Sequence, residues 1–153
     1  EIVGFDPAIT TPIPGVRMVK TLDELIEASQ IITLHAPYMP STHHMFGKEQ
    51  LAKMQKGSIL VNVSRGGLID ENALCDALNS GHLDGAGLDV FEKEPLQADS
   101  PLRSAKNIIL TPHIAWYSQS AGRRLVTWAL TDVHTFLTGK DTLNGKFAAG
   151  PFN

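Results

Sequence analysis

Short aliphatic runs alternate with amphipathic segments along most of the chain. The aliphatic runs predict five β-strands, at residues 2–5, 31–34, 59–63, 85–90 and 108–110. Because the runs are continuously apolar, they are typical of parallel strands that are covered on both faces. Strands in this order, with helices between them, predict a doubly wound α/β domain with helices on both faces of a parallel sheet.

Capping signals mark the helices between these runs. Thr21-Leu22-Asp23-Glu24 is a capping box that opens one helix. Asp70 is suited to cap the helix after the third run, and Ser118 to cap a long last helix. Residues 140–153 have no periodicity and are predicted to form an irregular tail, which leaves residues 1–139 as one domain.

Composition and charge exclude several classes of protein. The 153 residues include 13 Lys and Arg against 16 Asp and Glu, a net charge of −3 that gives no reason to bind nucleic acid directly. The single cysteine, Cys75, excludes an internal disulfide framework and a multi-cysteine zinc site. No apolar run approaches the roughly 20 residues of a membrane span. These features predict a cytoplasmic protein without membrane contact.

Polar and ionisable residues follow each predicted strand. Ligands of open α/β sheets bind outside the carboxyl ends of the strands, which meet at one edge when the strands are parallel. The side chains expected at that edge are Asp6, His35, Ser64, Arg65, Asp89, Glu94 and His113. Taken singly, Asp6 also fits a simple turn, and Glu94 a solvated surface.

Three of these side chains together suit a defined reaction. The Arg65 guanidinium can bind a carboxylate through two parallel hydrogen bonds. An imidazole such as His113 can exchange a proton with a hydroxyl, and a carboxylate such as Glu94 can orient it. This set predicts a site for a 2-hydroxy or 2-keto acid beside a dinucleotide. The adjacent His43 and His44 are interpreted as loop residues, and no metal site is predicted.

Three segments carry a family resemblance. Residues 60–70 (LVNVSRGGLID), 85–95 (GAGLDVFEKEP) and 111–115 (TPHIA) resemble the signatures of the D-isomer-specific 2-hydroxyacid dehydrogenases. The resemblance extends from residue 1 to about residue 139. It implies a Rossmann-type domain that uses NAD, and a hydride transfer between NAD(H) and a small 2-hydroxy or 2-keto acid.

The resemblance also implies roles for individual residues. Arg65 matches the arginine that binds the substrate carboxylate and carbonyl, His113 the acid/base, and Glu94 its carboxylate partner. Asp89 matches the aspartate near the nicotinamide carboxamide, and Asp6 the acid that binds the adenosine ribose and favours NAD over NADP. The other positions implied on the cofactor side are His35, Ala36, Pro37, Val63 and Ser64. The family further implies a homodimer formed through the cofactor domain.

The chain departs from the family pattern after His113. The sequence Ala115-Trp116-Tyr117-Ser118 is similar to the C-terminal-binding protein branch, whose animal members are NAD-responsive corepressors. Trp116 would then line the substrate pocket; otherwise it is an aromatic wedge before the last helix. The alternative function is therefore an NAD-responsive binding module.

A second departure is larger, because the sequence has no Gly-x-Gly-x-x-Gly segment. The family places that segment after the first strand of the sheet, so the strand is expected to be missing too. We therefore expect a fragment that has little activity alone. The runs at 2–5 and 59–63 should each face an open slot, filled by a neighbouring chain or by direct pairing of the two runs.

Overall fold

The computed structural model describes residues 1–139, which contain six β-strands and four α-helices. The strands are β1 (Ile2–Gly4), β2 (Val16–Met18), β3 (Ile31–Leu34), β4 (Ile59–Asn62), β5 (Gly85–Leu88) and β6 (Ile108–Leu110). The helices are α1 (Leu22–Ala28), α2 (Lys48–Lys53), α3 (Glu71–Asn79) and α4 (Gln119–Leu137). The sequence did not predict β2, because three residues with an arginine in the middle give no clear pattern. The predicted tail at 140–153 lies outside the described residues.

The strands form two parallel sheets. β1 pairs with β2, and β3, β4, β5 and β6 pair in that order. The parallel α/β fold is therefore confirmed. Within residues 1–139 no ladder joins β1 to β3, as expected for a Rossmann-type sheet without its first strand.

The expected position of the open slot is wrong in one respect. β4 does not border a slot, because it is paired on both sides, with β3 and with β5. Direct pairing of β1 with β4 is also wrong, since the described partner of β1 is β2. The reason is that the crossover through α2 places β3 beside β4, so that β3 takes the edge position.

The core lies on one face of the four-stranded sheet. Ile32 and Leu60 point from the strands into this core, where they join Ile26 of α1, Leu51 of α2 and Leu74 of α3. The other face differs from the prediction of burial on both sides. Its exposed fractions reach 66% at Ile31 and 71% at Ile109. An aliphatic run predicts that a strand can be covered, but not that the covering element is present.

Three helices begin at the predicted caps. The Thr21 hydroxyl accepts the Glu24 amide at 3.2 Å, although the Glu24 carboxylate accepts from Lys20 rather than from Thr21. Asp70 accepts two amides of the first turn of α3. Ser118 accepts the Ala121 amide at 3.1 Å at the start of α4.

The chain divides into two compact units, Glu1–His113 and Ile114–Asn153. The first unit contains both sheets and the helices α1 to α3, and the second contains α4. In α4 the apolar side chains of Leu125, Trp128, Val133 and Phe136 are exposed. Among the helices of residues 1–139, none combines the length and the apolar character needed to cross a membrane.

Candidate functional site

The carboxyl ends of β4, β5 and β6 border an open cavity of about 420 Å³ in the first unit. Three predicted site residues line this strand-end cavity: Arg65 after β4, Glu94 after β5 and His113 after β6. The structure therefore brings together the three side chains for which the sequence predicted a joint role. The other lining residues are Tyr38, His43, Gly66, Gly67, Phe91 and Glu92.

His113 and Glu94 form a hydrogen-bonded pair in this cavity. His113 Nδ1 lies 2.7 Å from Glu94 Oε2, and the other carboxylate oxygen accepts the Phe91 amide at 3.1 Å. The bond to His113 is the largest cause of the lowered pKa of Glu94, and the Phe91 amide and the Arg65 charge act in the same direction. The carboxylate is thus held in its charged form beside the imidazole.

The backbone conformation of His113 determines the position from which its side chain extends. Its φ is +56°, in the left-handed region that few residues other than glycine adopt. Its amide donates to the carbonyls of Asp89 at 2.8 Å and Thr111 at 3.0 Å. These two bonds hold a conformation that is costly by itself, as is common at functional sites.

Asn62 organises the loop that carries Arg65. It is 1% exposed, donates through Nδ2 to the Arg65 carbonyl at 2.8 Å, and accepts the Ser64 amide at 3.0 Å. The sequence did not point to a role for this residue, although a polar side chain within an aliphatic run is a signal for one. Asn62 shapes the turn from β4 into the cavity.

Two glycines permit close packing around Arg65. A Cβ atom on Gly66 would lie 1.9 Å from the Phe91 carbonyl carbon, and one on Gly67 would lie 2.6 Å from Tyr38 Cε2. Adjacent glycines at a strand end often permit close approach of a ligand to the backbone. The described residues instead place the backbone of Phe91 and the ring of Tyr38 there, and both belong to the cavity wall.

Two predicted cofactor residues lie at strand ends outside the cavity lining. Asp89 is 3% exposed and accepts the Thr111 hydroxyl at 2.5 Å. Asp6 is exposed, and its carboxylate accepts the Ala8 amide at 2.8 Å, so it forms the local turn that its sequence also suggested. Their roles toward NAD stay predictions.

The remaining cofactor-side positions cluster at the ends of β3 and β4. The Ser64 hydroxyl donates to the Ala36 carbonyl at 2.7 Å, which ties the two strand ends together. His35 Nε2 lies 3.0 Å from the Thr33 hydroxyl, and the Pro37 carbonyl accepts from Thr42. The last of these positions, Val63, is exposed directly after β4.

Trp116 and the paired histidines have different surroundings. Trp116 belongs to the second unit, is 52% exposed, and packs edge-to-face against Tyr117. Its assignment to the substrate pocket stays a prediction. His43 and His44 lie in a loop, as interpreted from the sequence, with their rings stacked 3.8 Å apart.

Known proteins resemble this chain over most of its length. Residues 1–115 match the family model described as "D-isomer specific 2-hydroxyacid dehydrogenase, NAD binding domain". A hydroxypyruvate reductase of Blautia hydrogenotrophica is 48% identical over 77% of this chain and 37% of its own length. A D-3-phosphoglycerate dehydrogenase of Methanocaldococcus jannaschii is 42% identical over 92% of this chain and 27% of its own length.

A solved structure shares the fold. D-lactate dehydrogenase of Lactobacillus jensenii with NAD⁺ matches 95% of this chain and 48% of its own chain, with a TM-score of 0.85 and 29% identity. The chain thus spans less than half the length of each of these relatives. By its matched residues, its parallel fold and the placement of its three signature segments, the chain belongs to the D-isomer-specific 2-hydroxyacid dehydrogenase family.

Proposed function

We propose that the chain is part of an NAD-dependent oxidoreductase that transfers a hydride between NAD(H) and a small 2-hydroxy or 2-keto acid. The observation that carries this proposal is the 2.7 Å contact of His113 with Glu94 in a cavity that Arg65 also lines. This arrangement offers a proton donor or acceptor beside a group that binds carboxylates.

Each of the three residues has a separate task in this proposal. Arg65 binds the carboxylate of the acid and orients its C2 oxygen. In the reduction, a hydride adds to C2, and His113 gives its Nε2 proton to the oxygen. In the oxidation, His113 takes the hydroxyl proton. Glu94 holds Nδ1 and fixes the orientation of the imidazole.

The cofactor fits the donors and acceptors that the chain offers. NAD, when bound, supplies or accepts the hydride. The exposed carboxylate of Asp6 suits ribose hydroxyls and would repel a 2′-phosphate, and Asp89, directly after β5, is assigned the position near the nicotinamide carboxamide. In this proposal the adenosine side is lined by His35, Ala36 and Pro37, and the nicotinamide side by Val63 and Ser64, within a partial NAD-binding domain at residues 1–139.

The proposal extends to the activity, assembly and location of the chain. Without a Gly-x-Gly-x-x-Gly segment, the chain alone lacks the usual pyrophosphate-binding backbone and should have little or no turnover. Pairing of two copies through the cofactor domain and a cytoplasmic location are parts of the same proposal. Analytical ultracentrifugation tests the dimer.

The chemistry can be tested on the chain as it exists. Titration with oxamate, an analogue of a 2-keto acid, should shift the NMR signals of Arg65 and His113. Arg65→Lys should weaken this response, because an ammonium lacks the planar pair of donors. Arg103→Lys is the control, since Arg103 donates to Gln97 and Leu96 and is absent from the cavity lining. A response that Arg65→Lys leaves unchanged contradicts the assignment of Arg65.

Inactivity of the chain alone has its own test. NADH oxidation is followed with hydroxypyruvate, glyoxylate and pyruvate as substrates, on a sample whose length is confirmed by intact mass. Turnover near the roughly 10 s⁻¹ typical of enzymes would contradict the expected inactivity, while supporting the proposed chemistry.

A further inference from the structure

Glu92 connects three parts of the first unit that surround the strand-end cavity. Its backbone amide donates to Glu71 Oε1 at 2.7 Å, at the first residue of α3. Its carboxylate contacts His44 Nε2 at 2.8 Å, in the loop that also carries Tyr38 and His43. Two residues further along the chain, Glu94 makes its bond to His113.

We propose that Glu71, Glu92 and His44 form a clamp that positions Glu94 against His113. Glu71 holds the backbone of Glu92, and His44 holds its side chain. The short segment from Phe91 to Glu94, which lines the cavity, is thereby fixed at both the backbone and the side chain of Glu92. All three are positioning residues, and the proposal rests on the function proposed for the His113–Glu94 pair.

The surroundings of Glu71 agree with this role. The pKa of its carboxyl is raised, mainly by partial burial and also by the Glu92 charge, while the hydrogen bond from the Glu92 amide and the His44 ring act in the opposite direction. A carboxylate removed from water retains its charge most readily where a donor is fixed nearby. Glu71 is therefore placed to accept one particular amide rather than to act as a surface charge.

The loop on the other side is equally constrained. His44 has a φ of +49°, and its amide donates to the Gly67 carbonyl at 2.9 Å. Its ring is stacked on His43, whose Nδ1 lies 3.3 Å from the Tyr38 hydroxyl. The clamp thus joins the segment that carries Glu94 to two aromatic residues of the cavity wall.

The test measures the Glu94 carboxyl directly by carbon-detected NMR during a pH titration of the chain. In Glu71→Ala the lowered pKa of Glu94 should rise toward the ordinary glutamate range. Exchange of the Glu92 amide hydrogen should become faster on the order of tenfold, as for a lost hydrogen bond to a charged acceptor. Glu71→Gln keeps an oxygen acceptor and should restore both readouts.

Matched control variants distinguish the loss of a positioning contact from a general loss of fold stability. Asp76→Ala removes another carboxylate from α3, away from Glu92, and should change neither readout. His44→Asn removes the other arm while tolerating a positive φ, and should raise the Glu94 pKa even if Glu71→Ala does not fold.

Two outcomes would overturn the clamp and are distinguishable. A Glu94 pKa that is lowered in the wild type and unchanged in both Glu71→Ala and His44→Asn overturns the clamp alone. A Glu94 pKa that is not lowered in the wild type overturns the His113–Glu94 pair itself, and with it the proposed function.

Discussion

The carboxylate of Glu94 owes its lowered pKa mainly to the hydrogen bond with His113. Because the folded pKa of Glu94 is lowered, the pair stabilises the fold above the ordinary pKa of the carboxyl. This contribution is lost as the pH falls through the lowered pKa. Both side chains are more than a third exposed, so solvent screening keeps the contribution small.

Replacing His113 with asparagine tests this coupling. Asparagine tolerates a positive φ, so the backbone can keep its conformation while the imidazole is removed. The pKa of Glu94 should rise toward its ordinary value in an NMR titration. His82→Asn is the control, because His82 contacts the Leu51 carbonyl instead. An unchanged Glu94 pKa in His113→Asn would refute the coupling.

Among the glycines that the structure describes, Gly66 has the least room for a side chain. Gly66→Ala should lower the free energy of unfolding by about 1–3 kcal/mol or more, because the added Cβ meets the backbone of Phe91. Gly87→Ala is the matched control, since its Cβ would meet only Val61 methyl groups, at 4.0 Å. Urea unfolding monitored by circular dichroism compares the two, and equal losses would contradict the steric explanation.

For individual residues, the sequence predicted the reactive side chains better than the residues that hold them in position. Arg65, Glu94 and His113 have chemically distinctive side chains next to strands, so their meeting could be predicted. Asn62 bonds to the Arg65 carbonyl, which faces it because of the loop conformation. Glu71 bonds to the Glu92 amide, which is distant in the sequence. Such contacts depend on the path of the chain, which residue type alone does not specify.

At the scale of the elements, α3 is connected to Glu92 of the cavity lining. It begins at Asp70, whose carboxylate accepts the amides of Asn72 at 3.0 Å and Ala73 at 3.1 Å. The next residue, Glu71, holds Glu92. The start of this helix therefore sets the position of a residue beside the cavity.

Removing the cap of α3 should be measurable. Asp70→Ala should cost about 1 kcal/mol of unfolding free energy, because two amides of the first turn lose their acceptor. Asp70→Asn should cost only a few tenths of that, since asparagine caps comparably well. Chemical denaturation provides the comparison. If the two variants were equally destabilised, the loss would stem from the charge and not from the cap.

Caps were predictable because they are local. Thr21, Asp70 and Ser118 each act within three residues, and all three accept the amides expected of them. The partners of the strands were not predictable in the same way. Pairing of β3 with β4 joins Ile31 to Ile59, and no local pattern around either residue names the other.

At the scale of the whole molecule, the exposed face of the four-stranded sheet is one apolar surface in addition to the exposed side chains of α4. Ile31 and Ile109 present aliphatic surface to solvent on strands that are otherwise well packed. Exposed apolar patches of this kind promote association. The apolar composition of the strands predicted that both faces of the sheet would be buried. That composition does not specify whether this chain contains the elements that would bury the second face.

The double variant Ile31→Thr/Ile109→Thr tests whether the exposed sheet face promotes association. Binding of a hydrophobic dye and self-association by light scattering should both decrease, while stability changes by no more than about 0.5 kcal/mol. Ile32→Thr, at a position that is 3% exposed, should instead destabilise the fold by about 2 kcal/mol or more. If the double variant associated as strongly as the wild type, the surface responsible for association would lie elsewhere.

The parallel pairing of all described strands also affects how the chain folds. Every described strand pair is parallel, and Ile2 pairs with Val16, Ile31 with Ile59, and Ala86 with Ile108. A parallel pair cannot begin as a hairpin, so each ladder requires closure of a long loop before its first contacts form. Folding should therefore be slow relative to helical proteins of this size, and strand edges stay open to other chains meanwhile.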